Sequence, residues 1–212
     1  METIVVEARA GRADSAVFDR IRAVLDAGGT IVYPTETFYG LGAAADSPAG
    51  IVKIYRLKER DWGKPLSVVV ADLSMAMACT VEPPALLETL AQAFWPGPLT
   101  LIVRASPVFP PAMLGAGGSI ALRVPGLAWL RALLAHIGRP VTATSANISG
   151  EAEISDGREA VRQFAGKVDL IVNGGDTPGG LPSSIVDLLA VPPRIVRAGA
   201  VPASALAPFL RD

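Results

Sequence analysis

Short β-type runs alternate with amphipathic helical patterns along nearly the whole chain, and this alternation restricts the fold more than any other feature. Thr3–Val6, Thr30–Tyr33, Leu66–Val70, Leu99–Val103, Ile120–Val124, Pro140–Thr142, Val168–Val172, Ser184–Leu188 and Arg194–Val196 read as strands. Between them, Asp14–Ala27 sets Val17, Phe18, Ile21, Val24 and Leu25 on one face and meets Gly28-Gly29 at its end. Ser47-Pro48 reads as the N-cap and first position of a helix that reaches Leu57, with Ile51, Val52, Ile54 and Tyr55 inward. Further helices are expected at Pro84–Phe94, Leu127–Ile137 and Asp156–Phe164, with a short one at Pro202–Leu210. No stretch reads as a linker and no internal repeat is visible, so the expectation is one α/β domain over residues 1–212 with a large mixed sheet. Strand order is not readable from this pattern.

Composition removes several chemistries. One histidine (His136) and one cysteine (Cys79) exclude a disulfide within the chain, a cysteine-cluster zinc site and a multi-histidine metal site. Both residues fall in or beside expected helices and read as packing residues. Nineteen Lys+Arg against twenty Asp+Glu give a formal charge of −1, which excludes a surface that is basic throughout but not a local patch. Mean hydropathy is positive, yet the longest uncharged stretch, Ala105–Leu122, is interrupted by prolines and glycines and is no spanning helix. The opening METIVVEARAGRADS lacks the basic-then-apolar layout of a secretory signal. Asn147-Ile148-Ser149 is therefore read as part of an internal motif. A soluble, cytoplasmic protein with no membrane association is expected.

Three loops rich in small polar residues follow or precede β runs: Pro34-Thr35-Glu36-Thr37, Thr142–Asn147 and Pro182-Ser183-Ser184. Such loops at sheet ends are where α/β domains gather backbone N–H groups and hydroxyls around ligands. Any one alone is also what an ordinary turn or helix cap would contain. The densest positive stretch, KIYRLKERDWGK from Lys53 to Lys64, adds to them. Lys53 and Arg56 suit the solvent face of the helix from Ser47, and cations at its end complement the helix dipole. The functional reading is that Lys58, Arg60 and Lys64 converge on a polyphosphate. No P-loop pattern and no G-x-G-x-x-G occurs, so a nucleotide site would be of another design.

Seven motifs then appear in order: PTETFYGLG (Pro34–Gly42), K-x-R-x-x-x-K-P-L (Lys58–Leu66), WPGPLT (Trp95–Thr100), ALRVP (Ala121–Pro125), TSANISG (Thr144–Gly150), PSSIVDL (Pro182–Leu188) and IVRAGAV (Ile195–Val201). Together, over residues 29–201, they resemble the YrdC-like family, the threonylcarbamoyl-AMP synthases. The family's K-x-R and S-x-N signature corresponds to Lys58, Arg60, Ser145 and Asn147. Members often carry K-G-R-P, whereas this chain has Glu59 and Asp61 beside the pair. The resemblance implies a twisted mixed sheet with helices around a concave basic cavity. The extra C-terminal domain of some relatives is not expected here.

The resemblance further implies condensation of L-threonine, bicarbonate and ATP to threonylcarbamoyl-AMP and pyrophosphate, for tRNA threonylcarbamoyladenosine modification. Lys58, Arg60, Ser145 and Asn147 would form the catalytic set. Arg60, Lys64, Ser119, Ser145 and Arg197 would contact ATP, and Thr35, Arg123, Ala143 and Ser183 would hold threonine. Mg2+ would accompany the triphosphate, and tRNA-modification proteins would take the product. Truncating Lys58 or Arg60 is expected to harm ligand turnover more than folding. Two rivals stay open: a paralogue with a different adenylating activity, and an RNA-binding protein using the same cavity. A pI near 5.9 and the lack of aromatics in a basic stripe argue against RNA contact as the primary role.

Overall fold

The strands divide between two sheets. In the computed structural model, which describes residues 2–8, 14–147 and 152–210, the first sheet comprises β1 (Ile4–Glu7), β2 (Thr30–Pro34), β3 (Tyr39–Ala43), β8 (Thr144–Ser145) and β9 (Leu170–Asn173). Their order is β1-β9-β2-β3-β8, parallel at β1/β9 and β2/β9 and antiparallel at β2/β3 and β3/β8. The second sheet comprises β4 (Ser67–Val69), β5 (Leu99–Arg104), β6 (Ser119–Arg123), β7 (Val141–Thr142), β10 (Ser184–Asp187) and β11 (Arg194–Arg197). It runs β11-β10-β5-β6-β4-β7 and is also mixed, with parallel pairs at β10/β5 and β4/β6. The mixed α/β character matches the sequence expectation. The division into two sheets was not legible, because it happens within a few residues: Thr142 pairs with β4 while Thr144 pairs with β3. Ala143 is where the chain crosses from one sheet to the other.

Helices α1 (Ser15–Asp26), α2 (Pro48–Leu57), α4 (Ala85–Phe94), α5 (Ala128–Ile137) and α6 (Gly157–Phe164) fall within the expected spans, as does the short α7 (Ala203–Leu206). The additional α3 (Leu73–Ala78) is a six-residue helix capped by Asp72, whose carboxylate accepts from Met75 N at 2.8 Å. No helix among the described residues is long and apolar enough to cross a membrane.

Two cores result from the period-two alternation of β strands buried on both faces. Ile31 and Tyr33 of β2 and Leu170 and Val172 of β9 face α1 and α5, where Phe18, Ile21, Leu25, Leu130 and Leu133 pack. Val32 and Ile171 face the opposite way, into the larger core shared with α2, α4 and the second sheet. Each such side chain, fully buried, contributes roughly 1.5–3 kcal/mol. The sheets come together at Gly42. A Cβ there would stand 2.4 Å from Thr142 O and 2.9 Å from the Tyr33 ring, so only glycine permits the approach. Tyr33 Oη donates to Thr142 O at 2.8 Å and Ala43 N donates to Thr142 Oγ1 at 3.0 Å, fixing the corner.

The end of α2 sets up the basic segment. Lys58 is the C-cap, and Glu59 follows with φ +48°. Arg60 N donates to Tyr55 O at 3.0 Å and Glu59 N to Arg56 O at 3.2 Å, the paired bonds of a Schellman turn. This turn reverses the chain between Lys58 and Arg60, which is the physical content of the K-x-R spacing. The middle residue must be left-handed, a conformation that glycine adopts without cost and glutamate does not.

Candidate active site

The polar loops singled out in the sequence meet where the two sheets join. Thr35, Thr37, the Pro65–Val69 stretch, Arg123 at the end of β6, Ala143–Ser145 at the crossing, Ser183 and Arg197 line one open cavity of about 220 Å³. Three arginines stand in its wall, Arg60, Arg123 and Arg197, and among the described residues Glu153 is the one carboxylate there. Hydroxyls of Thr35, Thr37, Ser67, Thr100, Thr144, Ser145 and Ser183 fill the intervals.

Each wall is locked from behind. Thr35 Oγ1 accepts from Thr37 N at 3.1 Å and donates to Phe38 O at 2.8 Å, tightening the turn between β2 and β3. Ala143 N donates to Ser67 O at 2.7 Å. Thr100 Oγ1 and Ser183 Oγ share a hydrogen bond of 2.8 Å, and Arg197 Nη2 donates to Ser183 O and Oγ at 2.7 and 3.0 Å. Burial lowers the pKa of Arg197, Glu153 opposes that shift, and Arg123 adds to it. Arg123 is itself buried and reaches Glu36, Nη2 to Oε2, at 3.4 Å.

Lys58 lies beneath this wall and does not line it. It is 2 % exposed, and its ammonium donates to Ser145 O at 2.6 Å, Asn147 O at 2.8 Å and Asn147 Oδ1 at 2.9 Å. Ser145 Oγ donates to the same Asn147 Oδ1 at 2.7 Å. The K-x-R and S-x-N motifs therefore meet as a clamp that ties the end of α2 to the β8 loop. Burial pushes the Lys58 ammonium down to about 8; Arg60 adds to the shift and Glu153 opposes it. This burial gives Lys58 a part in holding the fold together besides any part in turnover.

Of the residues expected in the site, Thr35, Arg60, Arg123, Ala143, Ser145, Ser183 and Arg197 are brought together around the cavity. Asn147 stands behind it with Lys58. Lys64 is exposed and its side chain is paired with Asp61 at 3.1 Å; it does not itself line the cavity, although its carbonyl accepts from Arg60, which does. Ser119 sits in the Gly115 turn, its carbonyl accepting from Gly115 N at 2.9 Å, and does not line the cavity. Ile148, Ser149 and Gly150 of the TSANISG motif lie outside the described residues. Glu59 and Asp61 are exposed and absent from the wall, so the two acidic departures do not alter its charge directly. Glu153, Thr37, Ser67 and Thr100 were missed. Thr37 and Thr100 carried a signal, lying within the PTETFYGLG and WPGPLT motifs, whereas Ser67 and Glu153 carried none. Trp62, half exposed and stacked on Tyr55 at 4.6 Å, places an aromatic face in the basic segment that the sequence argument against RNA had discounted.

Neither sulfur nor imidazole chemistry belongs to this wall. Cys79 is buried in the core, its thiol pushed up to about 11 by that burial, and His136 is bonded to Asp19 at 2.7 Å on α5. What remains is fixed positive charge and oriented hydroxyls, suited to gripping and aligning anionic groups.

Two mixed sheets meeting at an arginine-and-hydroxyl cavity define an α/β protein whose sheet junction is lined by groups suited to anionic ligands. The chain belongs to the Sua5/YciO/YrdC family, whose model, described as telomere recombination, matches residues 23–199. It is 36% identical over 175 residues to the threonylcarbamoyl-AMP synthase of Pyrococcus abyssi, covering 82% of this chain and 52% of that protein. The crystal structure of P. abyssi Sua5 complexed with L-threonine superposes with a TM-score of 0.91 at 32% identity, covering 98% of this chain and 61% of the other. E. coli YciO superposes at 0.87 and 26% identity, covering 98% and 99%. The chain thus spans about half the length of the curated synthase it matches.

Proposed function

We propose that this protein is an L-threonylcarbamoyladenylate synthase, forming threonylcarbamoyl-AMP and pyrophosphate from L-threonine, bicarbonate and ATP. The observation that carries the reading is the convergence of Arg60, Arg123, Arg197, Thr35, Ala143, Ser145 and Ser183 on one cavity, in a fold shared with a threonine-bound relative. Arg123 would take the threonine carboxylate, with Thr35, Ala143 and Ser183 around the rest of the amino acid. Arg60, Arg197 and Ser145 would hold the phosphates, with Lys64 and Ser119 contributing from outside the wall, and Lys58 and Asn147 would keep the Ser145 loop in place. The threonine amine and bicarbonate give a carbamate and water, and a carbamate oxygen attacks the α-phosphorus as pyrophosphate leaves. Such a transfer needs positioning and charge stabilisation more than a catalytic base.

Among the described residues no cluster of three metal-ligating side chains occurs. A magnesium ion brought by the triphosphate does fit, since such ions need only one or two carboxylates besides the phosphates. Glu153 would be its protein contact, and the ion would supply charge neutralisation on the phosphates. The product would pass to proteins that modify tRNA, in the cytoplasm.

The deciding experiment is pyrophosphate release from ATP, measured with threonine and bicarbonate added singly and together. Release that requires both supports the synthase. A second reading is a paralogue of the same fold with another adenylating activity, and E. coli YciO is a family structure that this chain matches over nearly its whole length. Release independent of threonine would select it.

A further inference from the structure

Arg123 and Glu36 form a pair that is incomplete on both sides. Arg123 comes from the end of β6 in one sheet, and Glu36 from the β2–β3 turn of the other, between Thr35 and Thr37, which both line the cavity. Their one contact is long, 3.4 Å, with side-chain exposures of 10% and 19%. Arg123 Nε and Glu36 Oε1 are both buried without a hydrogen-bond partner. A buried donor and a buried acceptor left unmet on the two partners of one ion pair are unfavourable, and a ligand that supplies both complements removes that cost. Space for the carboxylate is built in: a Cβ at Gly126 would come within 3.3 Å of Glu36 Cγ.

We propose that Glu36 and Arg123 together form a receptor for the zwitterionic head group of an α-amino acid, with Glu36 accepting from the α-ammonium while Arg123 donates to the carboxylate. This rests on the threonine reading above and adds a residue to it. Rotation of the Glu36 carboxylate about its terminal torsion, a soft one, turns either oxygen toward the ligand. The charge around it makes the assignment specific. Arg60, Arg123 and Arg197 all repel an ammonium. Glu153 is the carboxylate in the wall itself, but it is Glu36, behind the lining between Thr35 and Thr37, that touches Arg123. The amino group of a ligand held by that arginine therefore finds its nearest compensation there. Glu36 is in this sense a specificity-determining residue, favouring amino acids over simple carboxylates.

The test is calorimetric titration of wild type and Glu36→Gln with L-threonine and with 3-hydroxybutanoate, which keeps the carboxylate and hydroxyl but lacks the amine. Wild type should prefer threonine by about tenfold or more, the scale of one charge-assisted hydrogen bond. Glu36→Gln should lose that preference by weakening threonine alone, and Glu36→Asp should restore part of it. Equal affinities for the two ligands in wild type would overturn the inference without recourse to any variant. So would tightening of both ligands in Glu36→Gln, which would make Glu36 a competitor for Arg123, or an undiminished preference in that variant. Failure of wild type to bind either ligand would instead remove the threonine reading, and this inference with it.

Discussion

Lys58 and Lys64 belong to one basic segment, yet they end in opposite surroundings. Lys58 is almost wholly buried and its ammonium meets three oxygens of the Ser145–Asn147 loop. Lys64 has a side chain 62% exposed and one partner, Asp61, exposed to 79%. The Schellman turn at Glu59 separates them: before it, the chain still belongs to a helix packed on the core, and after it, to a surface loop. Residue type alone would assign both to the phosphates. Burial makes one a structural clamp and leaves the other a screened surface charge.

Lys58→Met should show the largest effect, because it strands carbonyl and amide oxygens that had a charged donor. A loss of about 1.5–3 kcal/mol is expected in denaturant unfolding, together with reduced turnover. An unchanged unfolding midpoint would show that the clamp does not hold the loop. The same pair of proteins gives a pH signature. The folded Lys58 releases its proton near pH 8, whereas the unfolded side chain holds it to about 10.5. The unfolded state therefore binds more protons between these values, and wild-type stability should rise with pH there relative to Lys58→Met, with no difference in slope below pH 8. Parallel pH profiles would count against the buried ammonium.

Arg60 sharpens the contrast from the cavity side. Its guanidinium is held by Lys64 O at 3.3 Å and Pro65 O at 3.0 Å, contacts at a half-exposed edge. Arg60→Ala should change stability little while weakening ATP by about 1.5–3 kcal/mol, the worth of a charge-assisted contact. Titration calorimetry reads this directly, and equal ATP affinity would take Arg60 out of the nucleotide site.

Glu59→Gly tests the turn itself. Relieving a left-handed glutamate should raise stability by about 0.5–1 kcal/mol after the entropy of the new glycine is counted. A destabilised variant would mean that the Glu59 side chain does something beyond occupying the turn. The smallest effect belongs to Lys64→Ala, about 0–1 kcal/mol in stability. Any loss of ATP affinity in it should fade as salt is raised, since the charge acts through solvent; a salt-independent loss would place Lys64 in direct contact with the ligand.

Much of the fold was legible because local chemistry decides it. Ser47-Pro48 starts α2 and Asp14 starts α1 through side-chain caps that the sequence displays. β3 was not legible, because Tyr39–Ala43 carries Gly40 and Gly42 and so lacks a strand-like run, although all five residues are buried. Gly42 admits the neighbouring sheet, and Gly40 lies against the Tyr33 ring of β2. The site was legible as a set of motifs, and Glu153 escaped because an isolated glutamate in a polar loop has no periodicity or spacing to mark it.

The sequence by itself determined the alternation of elements, the caps that bound them, and the residue types that gather at the cavity, since these depend on neighbours within a few positions along the chain. Only the tertiary structure decided that the strands form two sheets, that Gly42 lets them meet, and that Lys58 faces inward while Arg60 faces the cavity. Each of those outcomes depends on groups far apart in sequence, such as Lys58 Nζ and Asn147 Oδ1, and on the loss of water around them. Burial converts a charge from a solvated point into a constrained bond, and burial is a property of the whole fold.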